Sequence, residues 1–99
     1  MEAQLEYTGS GRSEFVIYRD DLADIKMYSE LGGGECVAII TIPREDEWKD
    51  KTGRPVESRD QIINFTAQQI IKDQAPNAYY KLSDNSITVW QKDNGNDKE

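Results

Sequence analysis

Histidine is missing from this 99-residue chain altogether, and cysteine occurs once. The first absence removes Ser–His and Cys–His nucleophilic pairs, together with the imidazole ligands typical of zinc and non-haem iron sites. The second removes any internal disulfide. Long hydrophobic runs are also lacking. The longest, Cys36-Val37-Ala38-Ile39-Ile40, falls far short of the roughly 20 residues that span a bilayer. The first residues, Met1-Glu2-Ala3-Gln4-Leu5-Glu6, show neither the basic start nor the apolar stretch of a secretory signal, so a cytoplasmic protein with no membrane partner is expected. Cys36, lying inside the apolar run, is expected to behave as a small buried hydrophobe.

Positive charge is scarce where acid is plentiful. Residues 1–50 carry twelve Asp/Glu against five Lys/Arg, whereas residues 51–99 carry seven of each, so the net charge of −7 arises in the first half. Such a balance speaks about solubility and partners, and it argues against direct contact with nucleic acid, whose phosphates would meet a negative surface. The length suits one domain, expected over residues 1–92, with an acidic tail over 93–99 that has nothing to bury and is expected to be disordered.

The hydrophobic pattern is that of strands, then a helix, then strands. Gln4–Thr8 alternates polar and apolar, Gly9-Ser10-Gly11-Arg12 offers a reversal, and Glu14–Arg19 resumes with β-branched and aromatic residues, which together read as a hairpin. Asp24–Ser29 places Ile25 and Met27 on one side and Asp24, Lys26 and Tyr28 on the other. Gly32-Gly33-Gly34 closes that strand. Cys36–Ile42 is apolar everywhere but Thr41, as expected of a strand covered on both faces or sitting centrally in its sheet. Ser58-Arg59-Asp60-Gln61 has the form of a capping box, and Ile62, Ile63, Thr66, Ala67, Ile70 and Ile71 form the apolar stripe of a helix ending near Gln74, ahead of Pro76. Ala78–Leu82 and Ile87–Gln91, separated by Ser83-Asp84-Asn85, read as a second hairpin. The order ββββ-α-ββ predicts an α+β fold, a mostly antiparallel sheet of about five to six strands with one amphipathic helix on one face. That leaves the opposite face without a layer of its own; Tyr7, Val16, Tyr18, Tyr28, Tyr79 and Trp90 are candidates to line it or its rim.

Two features outside this pattern are candidate contact sites. The polar connection 43–57 is long for a compact domain and holds Trp48, which either anchors a partner or folds back on its own chain. A short helical turn over Glu45–Lys49 and a tight turn at Thr52-Gly53 are expected within it. Phe65 falls far from the isoleucine stripe, among Gln61, Gln68, Gln69 and Lys72, so these residues could form a polar-rimmed contact patch unless Trp48 or the C-terminal hairpin packs over the ring. The acidic clusters Asp20-Asp21-Asp24 and Glu45-Asp46-Glu47-Asp50 lack the spacing to converge on a metal or to act as an acid/base pair. Gly32-Gly33-Gly34 lacks the lysine and Ser/Thr of a phosphate loop. No cofactor or metal is expected.

By subtraction, the sequence points to a small non-catalytic protein that binds another protein or itself. Two other readings are open: an acidic decoy or inhibitor of a basic, nucleic-acid-binding protein, which requires the acids to gather on one face, and a carboxylate-based metal-dependent enzyme or small-ligand binder, which requires a pocket with converging acids.

Overall fold

The computed structural model describes residues 3–10 and 13–91. The tip of the first hairpin and the tail expected over 93–99 lie outside the described residues. Six strands, β1 (Gln4–Ser10), β2 (Ser13–Arg19), β3 (Asp24–Leu31), β4 (Cys36–Thr41), β5 (Ala78–Leu82) and β6 (Ser86–Gln91), form one antiparallel sheet in the order β1-β2-β3-β4-β6-β5. The short helix α1 (Trp48–Thr52) and the long helix α2 (Arg59–Gln74) lie between β4 and β5, each preceded by a 3-10 turn, at 45–47 and 56–58. The α+β order read from the sequence is therefore the observed one.

Each element follows from local chemistry. The β3 alternation is realised as expected, with Ile25, Met27 and Ser29 buried and Asp24, Lys26, Tyr28 and Glu30 outward. β4 holds the central place that its apolar run implied, between β3 and β6, with a register shift between Cys36 and Ala38. Gly34, at φ +63°, turns the chain from β3 into β4. α2 stops at Gln74 as Pro76 requires.

Its start differs from expectation. Ser58 makes no capping hydrogen bond to the helix, because its hydroxyl donates to the Pro55 carbonyl at 2.7 Å and accepts the Trp48 indole N–H at 3.3 Å. The preceding 3-10 turn supplies the helical entry in place of a capping box.

One cluster forms the core. Val16 and Tyr18 from β2, Ile25 and Met27 from β3, Ile40 from β4, and Ile87 and Val89 from β6 meet Ile62, Ile63, Ala67 and Ile70 of α2, with Trp48 buried in the same cluster at 1% exposure. Burial of these side chains is the main favourable contribution to folding, of order 1.5–3 kcal/mol for each large apolar group. Thr66, fully buried in the stripe, satisfies its hydroxyl on the Ile62 carbonyl at 2.8 Å. Among the described residues, no helix is long and apolar enough to cross a membrane.

Candidate functional site

All the large elements outside the sheet pack on one side of it. The cross-strand register identifies what the other side carries: Phe15 and Ile17 from β2, Tyr28 from β3, Ile39 from β4, Tyr79 from β5 and Trp90 from β6 all have the parity opposite to the core residues of their strands. None belongs to the core cluster or to its packed fringe. Tyr28 and Tyr79 are 39% and 40% exposed, and the other four are half-buried. Phe15 and Tyr28 meet edge to face with centroids 5.8 Å apart. The Trp90 indole donates to Thr88 Oγ1 at 2.9 Å, which fixes the ring flat along its own strand.

Charged residues are interleaved with these. Arg19 pairs with Glu6 at 2.6 Å and with Asp24 at 3.3 Å, so it is neutralised at one end of the face. The Lys26 ammonium lies 4.1 Å from the Phe15 ring centre, and that of Lys81 lies 5.3 Å from Trp90 and 6.0 Å from Tyr79. Glu30 stands on the same face as these lysines. Among the described residues, the outward acids Glu6, Asp24 and Glu30 thus balance the outward cations Arg19, Lys26 and Lys81, and the face is near neutral within a chain of net charge −7.

A recess of about 310 Å³ borders the face where β4 leaves the sheet, lined by Lys26, Tyr28, Arg44, Glu47, Lys51 and Asn85 among others. Two of its cations have anionic neighbours: Arg44 lies 3.2 Å from Asp84, and Lys51 lies 3.9 Å from Glu47. A second hollow, of about 300 Å³, lies between α2 and the edge strand β5, against Gln68, Ile71 and Tyr80.

The residues singled out from the sequence do not come together. Trp48 is inside the core, its N–H donated to Pro55 O at 3.1 Å, and only unfolding would present it to a partner. Phe65 is half-buried and packs edge to face on Tyr18 at 5.8 Å, so the helix is buried over a wider arc than the isoleucine stripe suggested. Gln69 bonds Asp73 at 2.9 Å; Gln61 and Lys72 are exposed on the outer helix surface; Gln68 borders the hollow beside β5. The five aromatics and the valine nominated for the open face also divide: Tyr28, Tyr79 and Trp90 lie on it, whereas Val16 and Tyr18 belong to the core and Tyr7 packs against it. Tyr7 is held there by a 2.8 Å hydrogen bond from its hydroxyl to Asp73.

The connection 43–57 is held by Trp48 in the core and by a second buried side chain, Arg54. Arg54 is 4% exposed; its guanidinium makes two 2.8 Å bonds to Asp20, a third at 2.6 Å to the Ala23 carbonyl, and lies over the Tyr18 ring. The Arg54 guanidinium holds the Asp20 carboxyl well below the usual carboxylate range, against an opposing push from burial, with help from the N–H groups of Leu22 and Ala23. Burial, reinforced by the neighbouring Asp20, raises the Tyr18 phenol. Arg59 ties the start of α2 to the Pro43 carbonyl at 3.0 Å and the Asp84 carbonyl at 2.6 Å. These are structural clamps. Cys36 is buried, its thiol 3.6 Å from the Ala38 carbonyl. No group of three or more His, Cys, Asp or Glu is placed to hold a metal among the described residues. Comparison with protein-family models, with curated proteins and with solved structures gives no match.

Proposed function

We propose that this protein is a non-catalytic protein-binding module and that its contact surface is the open face of the sheet. The observation that carries the reading is the outward set Phe15, Ile17, Tyr28, Ile39, Tyr79 and Trp90 on a sheet whose helices all lie on the other side. Contiguous apolar surface of this kind is costly to leave in water and marks interaction sites. Aromatic residues are the side chains that dominate binding energy at protein interfaces. The buried free thiol of Cys36 fits a reducing, cytoplasmic setting.

Lysines laid over aromatic rings also resemble a platform for stacking single-stranded bases. Charge weighs against it: among the described residues three acids on the face offset three cations, and a phosphate backbone needs a positive track. The decoy reading gains no support either. Asp20 is consumed by Arg54, Glu6 and Asp24 share Arg19, and Glu47 and Asp84 neighbour Lys51 and Arg44.

The test is capture of binding proteins by the tagged full chain, compared with Ile39→Lys on the open face and Gln61→Lys on the outer helix surface. Specific capture is expected to be lost in the first variant and retained in the second, with both folded by circular dichroism. The reverse pattern would move the contact surface to α2, and lysine-dependent binding of an oligothymidylate would replace the protein-binding reading with a nucleic-acid one.

A further inference from the structure

The open-face reading leaves its occupant unnamed, and the register of the sheet supplies one. Glu30, Ile39, Thr88 and Lys81 form a single outward row across β3, β4, β6 and β5. The ends of that row carry opposite charges, and neither end has an ion-pair partner among the described residues. They do not serve each other within the chain, since three strand spacings separate them by about 14 Å, beyond the ~10 Å over which exposed charges interact at 0.1 M salt. Arg19, the remaining outward cation besides Lys26, is already taken by Glu6 and Asp24.

A row with this pattern is complementary to itself. Consider a two-fold axis lying between two such faces, parallel to the strands and passing between β4 and β6. It brings Glu30 of one copy over Lys81 of the other, twice, and lays Ile39 over Thr88 between the two pairs. A row with one sign of charge at both ends would repel its own image. Resting on the reading that the open face is the contact surface, we propose that the occupant of its β3-β4-β6-β5 part is a second copy of this chain, joined in an isologous sheet-on-sheet dimer in which the two Glu30–Lys81 pairs bracket Ile39 and Thr88 and their images. A two-fold interface requires one patch to complement itself, and aligned sheets about 10 Å apart are a stable way to bury two such faces.

Sedimentation equilibrium of the full chain tests this. The wild type is expected at twice the 11.3 kDa chain mass, dissociating on dilution, and Ile39→Lys at the single-chain mass. Should Ile39→Lys not fold, Thr88→Lys, half-buried in the same row, takes its place. Glu30→Lys and Lys81→Glu should each weaken the dimer about 10-fold or more by setting like charges face to face. The double variant Glu30→Lys/Lys81→Glu should restore it to within a few-fold of wild type. A wild type that stays monomeric at the highest attainable concentration, a dimer indifferent to Ile39→Lys, or a double variant no tighter than its parents would each overturn the proposal. The broader reading fails separately. A monomeric wild type whose capture of other proteins is still abolished by Ile39→Lys refutes the dimer and keeps the open face as the contact surface.

Discussion

Replacing Arg54 by methionine removes the guanidinium but keeps an unbranched stem against Tyr18. Three hydrogen bonds are lost, two to Asp20 and one to the Ala23 carbonyl. Breaking a buried ion pair by removing one partner costs about 3–5 kcal/mol, because the other charge is stranded. The lower end applies here: the Asp20 side chain is 17% exposed and keeps the N–H groups of Leu22 and Ala23 at 2.9 and 3.4 Å. A loss of about 3 kcal/mol corresponds to a fall in melting temperature of roughly 12–24 °C for a domain of this size. Asp20→Asn should cost at least as much, since Arg54 is more deeply buried and cannot shed its charge. The double variant should lose less than the sum of the two. The pH dependence has a definite sign. Because the folded carboxyl titrates below its unfolded value, the Asp20 contribution is fully present above about pH 4 and is lost as the pH falls through the lowered folded value. Urea melts should therefore show the gap between wild type and Asp20→Asn closing below pH 4. A gap that is the same at pH 6 and pH 3, or an Arg54→Met variant within 1 kcal/mol of wild type (roughly, a cost no larger than an exposed pair's), would refute the clamp.

Trp48→Ala should destabilise by about 3–5 kcal/mol by emptying a core site, read by urea denaturation. Gly32→Ala should cost about 1–3 kcal/mol in the same assay, because a Cβ there collides with the Cys36 backbone, whereas Gly33→Ala meets open space and should be nearly silent. Burial, then the bond to Asp73, raises the Tyr7 phenol above its usual value, so its contribution is intact below about pH 10 and lost at higher pH; Tyr7→Phe should flatten the alkaline limb of the stability profile.

Much of the fold was legible because single residues left one choice. Ile25 and Met27 alternate with Asp24, Lys26 and Tyr28, which fixes both the strand and its buried side. The β4 run, apolar at both parities, predicts a strand covered on both faces or central in its sheet; it is central, but its outward side, with Ile39 and the exposed Val37, is not covered. β2 was not decidable in this way: Phe15 and Ile17 are as apolar as Val16 and Tyr18, so period alone could not say which pair faces α2. Period alone therefore allows Val16 and Tyr18, and Tyr7 of β1, on the open side, whereas all three face the core. Phe65 lies outside the buried core, as the wheel implies, but the ring that meets it is Tyr18 of β2, not Trp48 or the last hairpin, because a wheel describes the helix alone. The Arg54–Asp20 pair left no signal, joining residues 34 positions apart through a stretch that reads as an ordinary turn. Ser58 read as a cap because nothing local reveals that Trp48, ten residues earlier, takes its hydroxyl.

Among the described residues the sheet is bare on one side, and hydroxyl-radical footprinting of dilute protein reads that exposure residue by residue. Tyr28, Tyr79 and Trp90 should be oxidised readily, while Trp48 and Tyr18, at 1% and 6% exposure, are protected until the chain unfolds. Rapid labelling of Trp48 in the folded protein, or protection of Tyr28 and Tyr79 in the dilute monomer, would contradict the account.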